Sequence, residues 1–143
     1  METMRLPIYE ATLELVREVL KVKRNMQRHF KQDVGLEMSQ ASIRMLSYIF
    51  KANRKDWDGR LEALDEYLDS YGMLKSLVRI CTVGHIISAR EAAKLSVAMR
   101  MVDKQAHGWR MSTEKKIEKR DKKEKEDMKD AAKFAKALCR GPV

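Results

Sequence analysis

The sequence has few of the residues that interrupt helices, since its 143 residues include only 2 prolines and 6 glycines. Cysteine is also rare. Cys81 and Cys139 do not have the spacing of a disulfide scaffold or a zinc site, so we expect reduced thiols. The abundant residues, Ala, Leu, Glu, Lys, Arg and Met, all favour helices. The composition therefore predicts an all-α protein.

Long apolar runs are missing as well. No uninterrupted run approaches the roughly 18 residues that a membrane-spanning helix needs. Glu10 and Glu14 interrupt the apolar residues near the N-terminus, which argues against a signal peptide. We therefore expect a cytoplasmic protein without a membrane partner.

Motifs of catalysis are also missing, including a phosphate-binding glycine loop, a nucleophile elbow and a metal-ligand cluster. His29, His85 and His107 are far apart in the sequence and are more typical of polar surface positions. Four acidic residues lie close together without a histidine partner, which favours a solvated face: Glu62, Asp65, Glu66 and Asp69. The sequence predicts neither an enzyme nor a bound cofactor.

The apolar pattern predicts four helices and a tail. The first extends from Pro7 to near Gln32, with Gly35 as a left-handed cap. The second extends from Leu36 to about Asn53, and the third from Gly59, capped by Asp58, to about Val83. We expect Gly72 in the third helix to permit a close backbone approach. The fourth begins with a capping box formed by Ser88 and Glu91.

The buried faces are predicted from helical spacing. The second helix is expected to bury Ile43, Leu46, Ile49 and Phe50. The third has apolar residues at Leu61, Leu64, Leu68, Tyr71, Leu74 and Val78. The fourth has a narrow seam of the kind found in helix bundles, made of Leu95, Met99, Val102, Ala106 and Trp109.

The sequence divides into a bundle over residues 1–113 and a charged tail over residues 114–143. The tail contains eleven Lys or Arg and seven Asp or Glu residues. It is predicted to be either disordered or a solvated extension of the fourth helix, supported by pairs such as Glu118 with Lys122. Its small apolar patch of Ala131, Phe134 and Leu138 is an alternative docking element.

Basic residues follow the outer face of the first helix, opposite its apolar stripe. They are spaced by four, three, four and three residues: Arg17, Lys21, Arg24, Arg28 and Lys31. The fourth helix has a second basic set away from its apolar seam: Arg90, Lys94, Arg100 and Lys104. With a net charge of +9, these faces are typical of proteins that contact phosphates, without any base-reading motif.

Two other interpretations fit this charge distribution. The basic faces are either merely solvated or pair with the acidic first half of the third helix in another subunit, which describes a protein-assembly module without nucleic-acid function. A tail helix lying on a membrane is a weaker alternative, because such helices need bulky apolar residues along their length.

Short motifs along the chain resemble a known family. They are LPIYEATLEL at Leu6–Leu15, KANR at Lys51–Arg54, LKSLVRI at Leu74–Ile80, IIS at Ile86–Ser88 and HGW at His107–Trp109. Gly35 and Arg60 also fit. In order and spacing over residues 5–110, the motifs resemble the accessory variability determinant (Avd) family of diversity-generating retroelements. The broader group includes four-helix proteins encoded in ribosomal RNA intervening sequences.

The resemblance implies an antiparallel, up-down four-helix bundle that assembles into a homopentameric barrel with a basic surface. It implies a noncatalytic protein that binds a reverse transcriptase and template RNA, alone or as an RNA/DNA hybrid. Such a protein supports mutagenic cDNA synthesis and retrohoming. Gly108 and Trp109 match the family pattern, and we interpret them, with Gly35, as structural or subunit-contact residues. The glycine would allow close packing, and the tryptophan would fill a bundle end.

Overall fold

The computed structural model describes residues 6–141, and within this range the protein is an all-α helical bundle. Its helices are α1 (Pro7–Asn25), α2 (Arg28–Phe30), α3 (Leu36–Arg54), α4 (Trp57–Val83) and α5 (Ala89–Arg140). A π-helical segment, Lys31–Gly35, joins α2 to α3. None of these helices combines the length and apolar character needed to cross a bilayer.

The first helix ends earlier than predicted. Met26 and Gln27 adopt extended conformations after Asn25, and helical structure resumes at Arg28. The prediction that one helix continues to Gln32 was wrong. The break contains neither Gly nor Pro, so the sequence carries no strong signal for it. Gly35 is not a left-handed cap either, since its φ of −62° is that of an ordinary right-handed helix.

The boundaries of α4 and α5 follow their caps. Asp56 caps α4, with its Oδ1 accepting a hydrogen bond from the Gly59 amide at 2.9 Å, so the prediction of Asp58 as the cap was wrong. The predicted end at Val83 is confirmed, and Gly84 follows it. The predicted capping box is also confirmed, with Ser88 and Glu91 each satisfying the other's backbone amide.

Each long helix packs against two others. α1 contacts α3 and α5, and α4 contacts the same two helices, so α1 and α4 occupy opposite corners of the bundle. The core draws fully buried large side chains from all four long helices, among them Leu15, Met45, Leu64 and Leu95. Their burial supplies the main stabilisation of the bundle, since each large apolar side chain contributes about 1.5–3 kcal/mol.

The buried face of α3 differs from the prediction. Ile49 is buried, but Ile43 and Phe50 are 49% and 38% exposed, and Leu46 is half-buried. Apart from Ile49, the buried positions carry smaller or more flexible side chains: Met38, Ser39, Ala41, Ser42, Met45 and Ala52. Small residues let α4 approach closely, as the hydrogen bond from Ser70 Oγ to the Ala41 carbonyl oxygen at 3.1 Å demonstrates.

Two buried tyrosines connect α4 to α1, across the core, and to the neighbouring α5. The Tyr67 hydroxyl lies 2.7 Å from Thr12 Oγ1 of α1, and Thr12 Oγ1 lies 2.6 Å from the Ile8 carbonyl oxygen. Thr12 has one hydroxyl proton and donates it to Ile8, so Tyr67 is the donor to Thr12. The Tyr71 hydroxyl donates to the Met99 carbonyl oxygen of α5 at 3.1 Å. These bonds satisfy polar groups that burial would otherwise destabilise.

The last helix extends far past the bundle. α5 has 52 residues, about 78 Å at the usual rise, whereas α4 has 27. Its predicted seam is buried from Leu95 to Ala106, and Trp109 packs against the core. From residue 121 to residue 140 every side chain is exposed, so roughly 30 Å of helix lies outside the bundle.

Candidate nucleic-acid interface

The predicted basic stripe on α1 forms one exposed surface. Arg17, Lys21 and Arg24 are all exposed, and with Leu20 they line a shallow depression of about 240 Å³. The side chains share a face because residues three and four apart are neighbours on a helix. Three cations around an open depression, on a helix held by the core, form a fixed site suited to phosphate oxygens.

Two of these cations have acidic neighbours on α1. Arg17 Nη1 lies 3.3 Å from Glu14 Oε2, and Lys21 Nζ lies 3.5 Å from Glu18 Oε1. Arg17 and Glu14 are 69% and 53% exposed, and exposed pairs of this kind contribute about 0–1 kcal/mol, so a polyanion can displace Glu14 at low cost. Glu18 is only 14% exposed, whereas its partner Lys21 is 58% exposed.

The other two residues of the predicted stripe lie beyond the helix break. Arg28 is exposed in α2, and Lys31 is half-buried in the π-helical segment. A single helical wheel over all five residues was therefore wrong, because α1 stops at Asn25. Arg28 and Lys31 come next in the sequence after the three cations of α1. Their positions are set by α2 and the π-helical segment, not by the helical repeat of α1.

The predicted basic residues of α5 are all exposed. Arg90, Lys94, Arg100 and Lys104 lie in the part of α5 whose buried seam faces the core. Lys94 lines a groove between α5 and α1, opposite Glu18. Within residues 6–141, neither these four side chains nor those of Arg24, Arg28 and Lys31 take part in an ion pair within 4 Å.

Asp65 and Glu66, two of the four acidic residues over positions 62–69 of α4, form ion pairs inside the chain. Asp65 Oδ1 accepts from Arg110 Nε at 2.8 Å, and Glu66 Oε2 lies 3.5 Å from Lys51 Nζ. Arg110 also pairs with Glu114. The hydrogen bond with Asp65 raises the pKa of Arg110 above its ordinary value. The acids therefore serve the fold, a role that sequence reasoning missed because their partners lie on other helices.

A further ion pair fixes the point where α5 leaves the bundle. Arg120 Nη1 donates to Asp58 Oδ2 at 3.1 Å, and Asp121 also accepts from Arg120. The hydrogen bond with Asp58 raises the pKa of Arg120. Asp58 lies in the first turn of α4, where a negative charge also complements the helix dipole.

The three predicted structural residues have different environments. A Cβ at Gly35 would lie 3.0 Å from Lys23 Cγ and Met26 Sδ, so this glycine permits a close approach to the end of α1. A Cβ at Gly108 would meet nothing within 4 Å, so the close packing expected there is not found within the described chain. The same holds for Gly72. Trp109 is half-buried, with the Arg60 guanidinium 5.2 Å from its ring centre.

The buried titratable groups serve packing. Burial raises the pKa of Tyr67 and that of the Cys81 thiol, and it raises the pKa of Tyr71 to about 12. The Cys81 thiol contacts Met38 Sδ at 3.8 Å inside the core. Among the residues that the structure describes, no group of three or more His, Cys, Asp or Glu side chains is arranged to hold a metal ion.

Comparison of the chain with known proteins returned no match, either among family models or among curated proteins. The exposed basic surfaces of α1 and α5 and the order of the short motifs are therefore the features of this chain that bear on its function.

Proposed function

We propose that this protein is a noncatalytic, RNA-binding accessory protein of a diversity-generating retroelement. It binds template RNA and the reverse transcriptase through basic surfaces in the cytoplasm, and it supports mutagenic cDNA synthesis and retrohoming. The observation that carries the RNA-binding part is the exposed cluster of Arg17, Lys21 and Arg24 around one depression on a core-anchored helix. The retroelement part comes from the ordered motifs over residues 5–110.

The proposed assembly is an antiparallel four-helix bundle in a homopentameric barrel. Pro7 and Ile8 line a depression together with Gly108 and Trp109, which supports opposite directions for α1 and α5. In that arrangement the α1 cluster and Lys94 lie toward the same end of the bundle. A ring would repeat this basic end in every subunit, and repetition increases the avidity of individually weak phosphate contacts.

A charge-reversal variant tests the RNA site. We expect Arg17, Lys21, Arg24 and Arg28, all changed to Glu, to abolish binding to a structured RNA in a fluorescence-anisotropy titration. Circular dichroism should be unchanged, because all four side chains are exposed. Equal RNA affinities of the variant and the parent protein would contradict the proposal.

The control for net charge is a tail variant in which Lys115, Lys119, Lys122 and Lys125 are changed to Glu, all outside residues 128–140. It carries the same change in net charge on an equally exposed part of the chain. The proposal predicts that it keeps most of the affinity, since the anchored cluster is intact. Equal losses in both variants would show a nonspecific dependence on net charge and would contradict the assigned site.

The flanking genome tests the retroelement assignment. We expect a reverse-transcriptase gene nearby, together with a pair of template and variable repeats. Their absence on both sides would separate RNA binding from the retroelement role and would contradict the latter.

The second candidate function is a protein-assembly module without nucleic-acid function. An apolar groove between α1 and α5 that no described part of the chain covers favours it. The version in which acidic and basic faces pair between subunits is less favoured, because Asp65 and Glu66 already pair within the chain. Absence of RNA binding at low salt, with a stable oligomer, would support the assembly module.

A further inference from the structure

A groove with a volume of about 660 Å³ lies between α1 and α5. Its lining is mostly apolar, with Val97, Ala98 and Met101 on the α5 side. Val97 and Met101 are 58% and 50% exposed, which is unusual for apolar side chains that flank a packed helix pair. Such an uncovered apolar surface is typical of a protein-docking site.

The α1 side of this groove is acidic. Glu10, Glu14 and Glu18 line it at successive helical turns, and Lys94 is the only cation among the groove residues in the described structure. Glu14 and Glu18 pair with Arg17 and Lys21, whereas Glu10 has no ion pair within 4 Å among residues 6–141. An occupant of this groove should therefore be apolar on one side and basic beside it.

The end of α5 has this composition. On a helical wheel, the apolar residues between Met128 and Arg140, except Ala137, fall within one arc: Met128, Ala131, Ala132, Phe134, Ala135, Leu138 and Cys139. The basic residues fall together beyond one edge of that arc, with Lys136 and Lys129 nearest to it, followed by Arg140 and Lys133. Long lysine side chains can extend back along the helix surface toward that edge. Met128, Phe134 and Leu138 are 65–70% exposed, so nothing in the described chain covers this face.

The lengths of groove and segment also agree. The groove extends from Pro7 to Glu18 on α1, about 17 Å of helix, and from Lys94 to Gln105 on α5. The apolar arc from Met128 to Leu138 covers about 15 Å. The segment cannot reach the groove of its own chain, because α5 is one continuous helix and Met128 lies about 40 Å along it from Met101.

We propose that the groove between α1 and α5 binds residues 128–140 of α5 from a second copy of this chain. The apolar arc packs against Val97, Ala98 and Met101. Lys129 and Lys136, the basic residues nearest the arc, reach toward the acidic side of the groove. Because the contact joins two different surfaces, it closes either reciprocally between two copies or around a ring. This contact does not depend on RNA binding.

Directed disulfide formation tests the contact. Cys139 lies at the end of the inserted segment and therefore meets one end of the groove. Two full-length variants, Lys94→Cys and Gln105→Cys, place a thiol at each end. A link from either position to Cys139 must join two copies, because a disulfide needs Cα atoms within about 7 Å and both residues lie far from Cys139 on the same helix. Cys81 is buried and does not compete.

The matched control is Ile80→Cys, which places a thiol at a position of α4 that is 58% exposed and outside the groove. Under mild oxidation, we expect one groove variant to form its link to Cys139 about tenfold faster than the control, because bound copies have a high effective concentration. Peptide mapping identifies the joined residues and the direction of the segment. If both Lys94→Cys and Gln105→Cys form the link to Cys139 no faster than Ile80→Cys does, the proposal is overturned.

A second pair of variants separates a bound copy from a bound nucleic acid. Phe134→Glu with Leu138→Glu should reduce the oligomer mass in sedimentation and remove the faster link. Met73→Glu with Ile80→Glu makes the same change on exposed residues of α4 and should do neither. An unchanged mass and link rate with lost RNA binding would overturn the proposal and assign the segment to nucleic acid.

Discussion

The two halves of α5 have the same secondary structure but are stabilised by different interactions. In the first half, Leu95, Val102 and Ala106 are completely buried in the bundle. In the second half every side chain from residue 121 to residue 140 is exposed, and no ion pair within 4 Å joins two of these residues. Helix formation there depends on intrinsic propensity. The length of a helix is therefore no measure of how much of it packs in a core.

The difference between the halves also divides the basic surface into two kinds. The cations of α1 are attached to a helix that packs on two neighbours, so the backbone that carries them is held by the core. The cations between residues 121 and 140 lie on a part of α5 whose side chains are all exposed. The proposed phosphate contacts belong to the first kind of surface, and the proposed contact with another copy belongs to the second.

The largest expected effect is the difference in unfolding free energy between variants at one buried and one exposed leucine of α5. Leu95→Ala removes a fully buried side chain and should lower the free energy of unfolding by about 2–5 kcal/mol. Leu138→Ala changes a side chain that is 65% exposed and should alter it by less than about 0.5 kcal/mol at concentrations where the chain is monomeric. Urea denaturation measures both. Similar values for the two variants would contradict the division of α5.

The next effect tests the buried hydrogen bond between opposite corners of the bundle. Thr12→Val should destabilise the fold by about 1–3 kcal/mol, because the Tyr67 hydroxyl loses its acceptor while staying buried. Adding Tyr67→Phe removes the unsatisfied hydroxyl and should restore part of the loss. A double-mutant cycle in urea measures the coupling. Strictly additive losses would show that the two hydroxyls do not interact.

Alkaline pH should destabilise the bundle through its tyrosines. Burial raises the pKa of Tyr67 and Tyr71, that of Tyr71 to about 12, and the charge of Asp103 adds to both shifts. Unfolded tyrosines ionise near pH 10, so the stabilisation from the neutral hydroxyls is complete below that pH. It is lost as the pH rises toward 12, by at most about 1.4 kcal/mol per pH unit for each tyrosine.

Urea midpoints at several pH values between about 9 and about 11.5 measure this slope. Tyr71→Phe should give a shallower dependence, because only Tyr67 then contributes. Lysine and exposed tyrosine titrations are common to both proteins and cancel in the comparison. Identical slopes would contradict a role for Tyr71.

The smallest effect concerns the start of α5. Ser88→Ala removes the side chain that accepts from the Glu91 amide and should reduce stability by about 1 kcal/mol. Ser96→Ala is the matched control, since this exposed serine only bonds back to the Ala92 carbonyl oxygen within the helix. We expect the control to leave the urea midpoint nearly unchanged. An equal loss in both would argue against the capping box.

Local signals in the sequence predicted the local features of the fold. The capping box at Ser88 and the end of α4 at Val83 depend on short-range chemistry and were predicted correctly. The break at Met26 and Gln27 was missed because those residues have no strong turn preference. The buried face of α3 was predicted wrongly because helical periodicity was judged from the large apolar residues. The structure instead buries small residues such as Ala41 and Ser42, which allow α4 to approach closely.

The candidate site was predictable only in part, for a similar reason. The spacing of Arg17, Lys21 and Arg24 places them together on any helix, and the structure has them around one depression. The pairing of Asp65 with Arg110 and of Asp58 with Arg120 joins residues far apart in sequence. No pattern within a single helix identifies such partners, so the acidic half of α4 was interpreted as merely solvated.

The most direct test of the RNA-binding claim is the salt dependence of affinity. Anisotropy titrations of the full chain with a structured RNA, from about 50 to about 200 mM salt, give the slope of log affinity against log salt. We predict a steep negative slope. The Arg17→Gln, Lys21→Gln, Arg24→Gln variant should be less steep by about 2–3, roughly one for each phosphate contact removed. Affinity that does not change with salt, or an unchanged slope in that variant, would contradict the account.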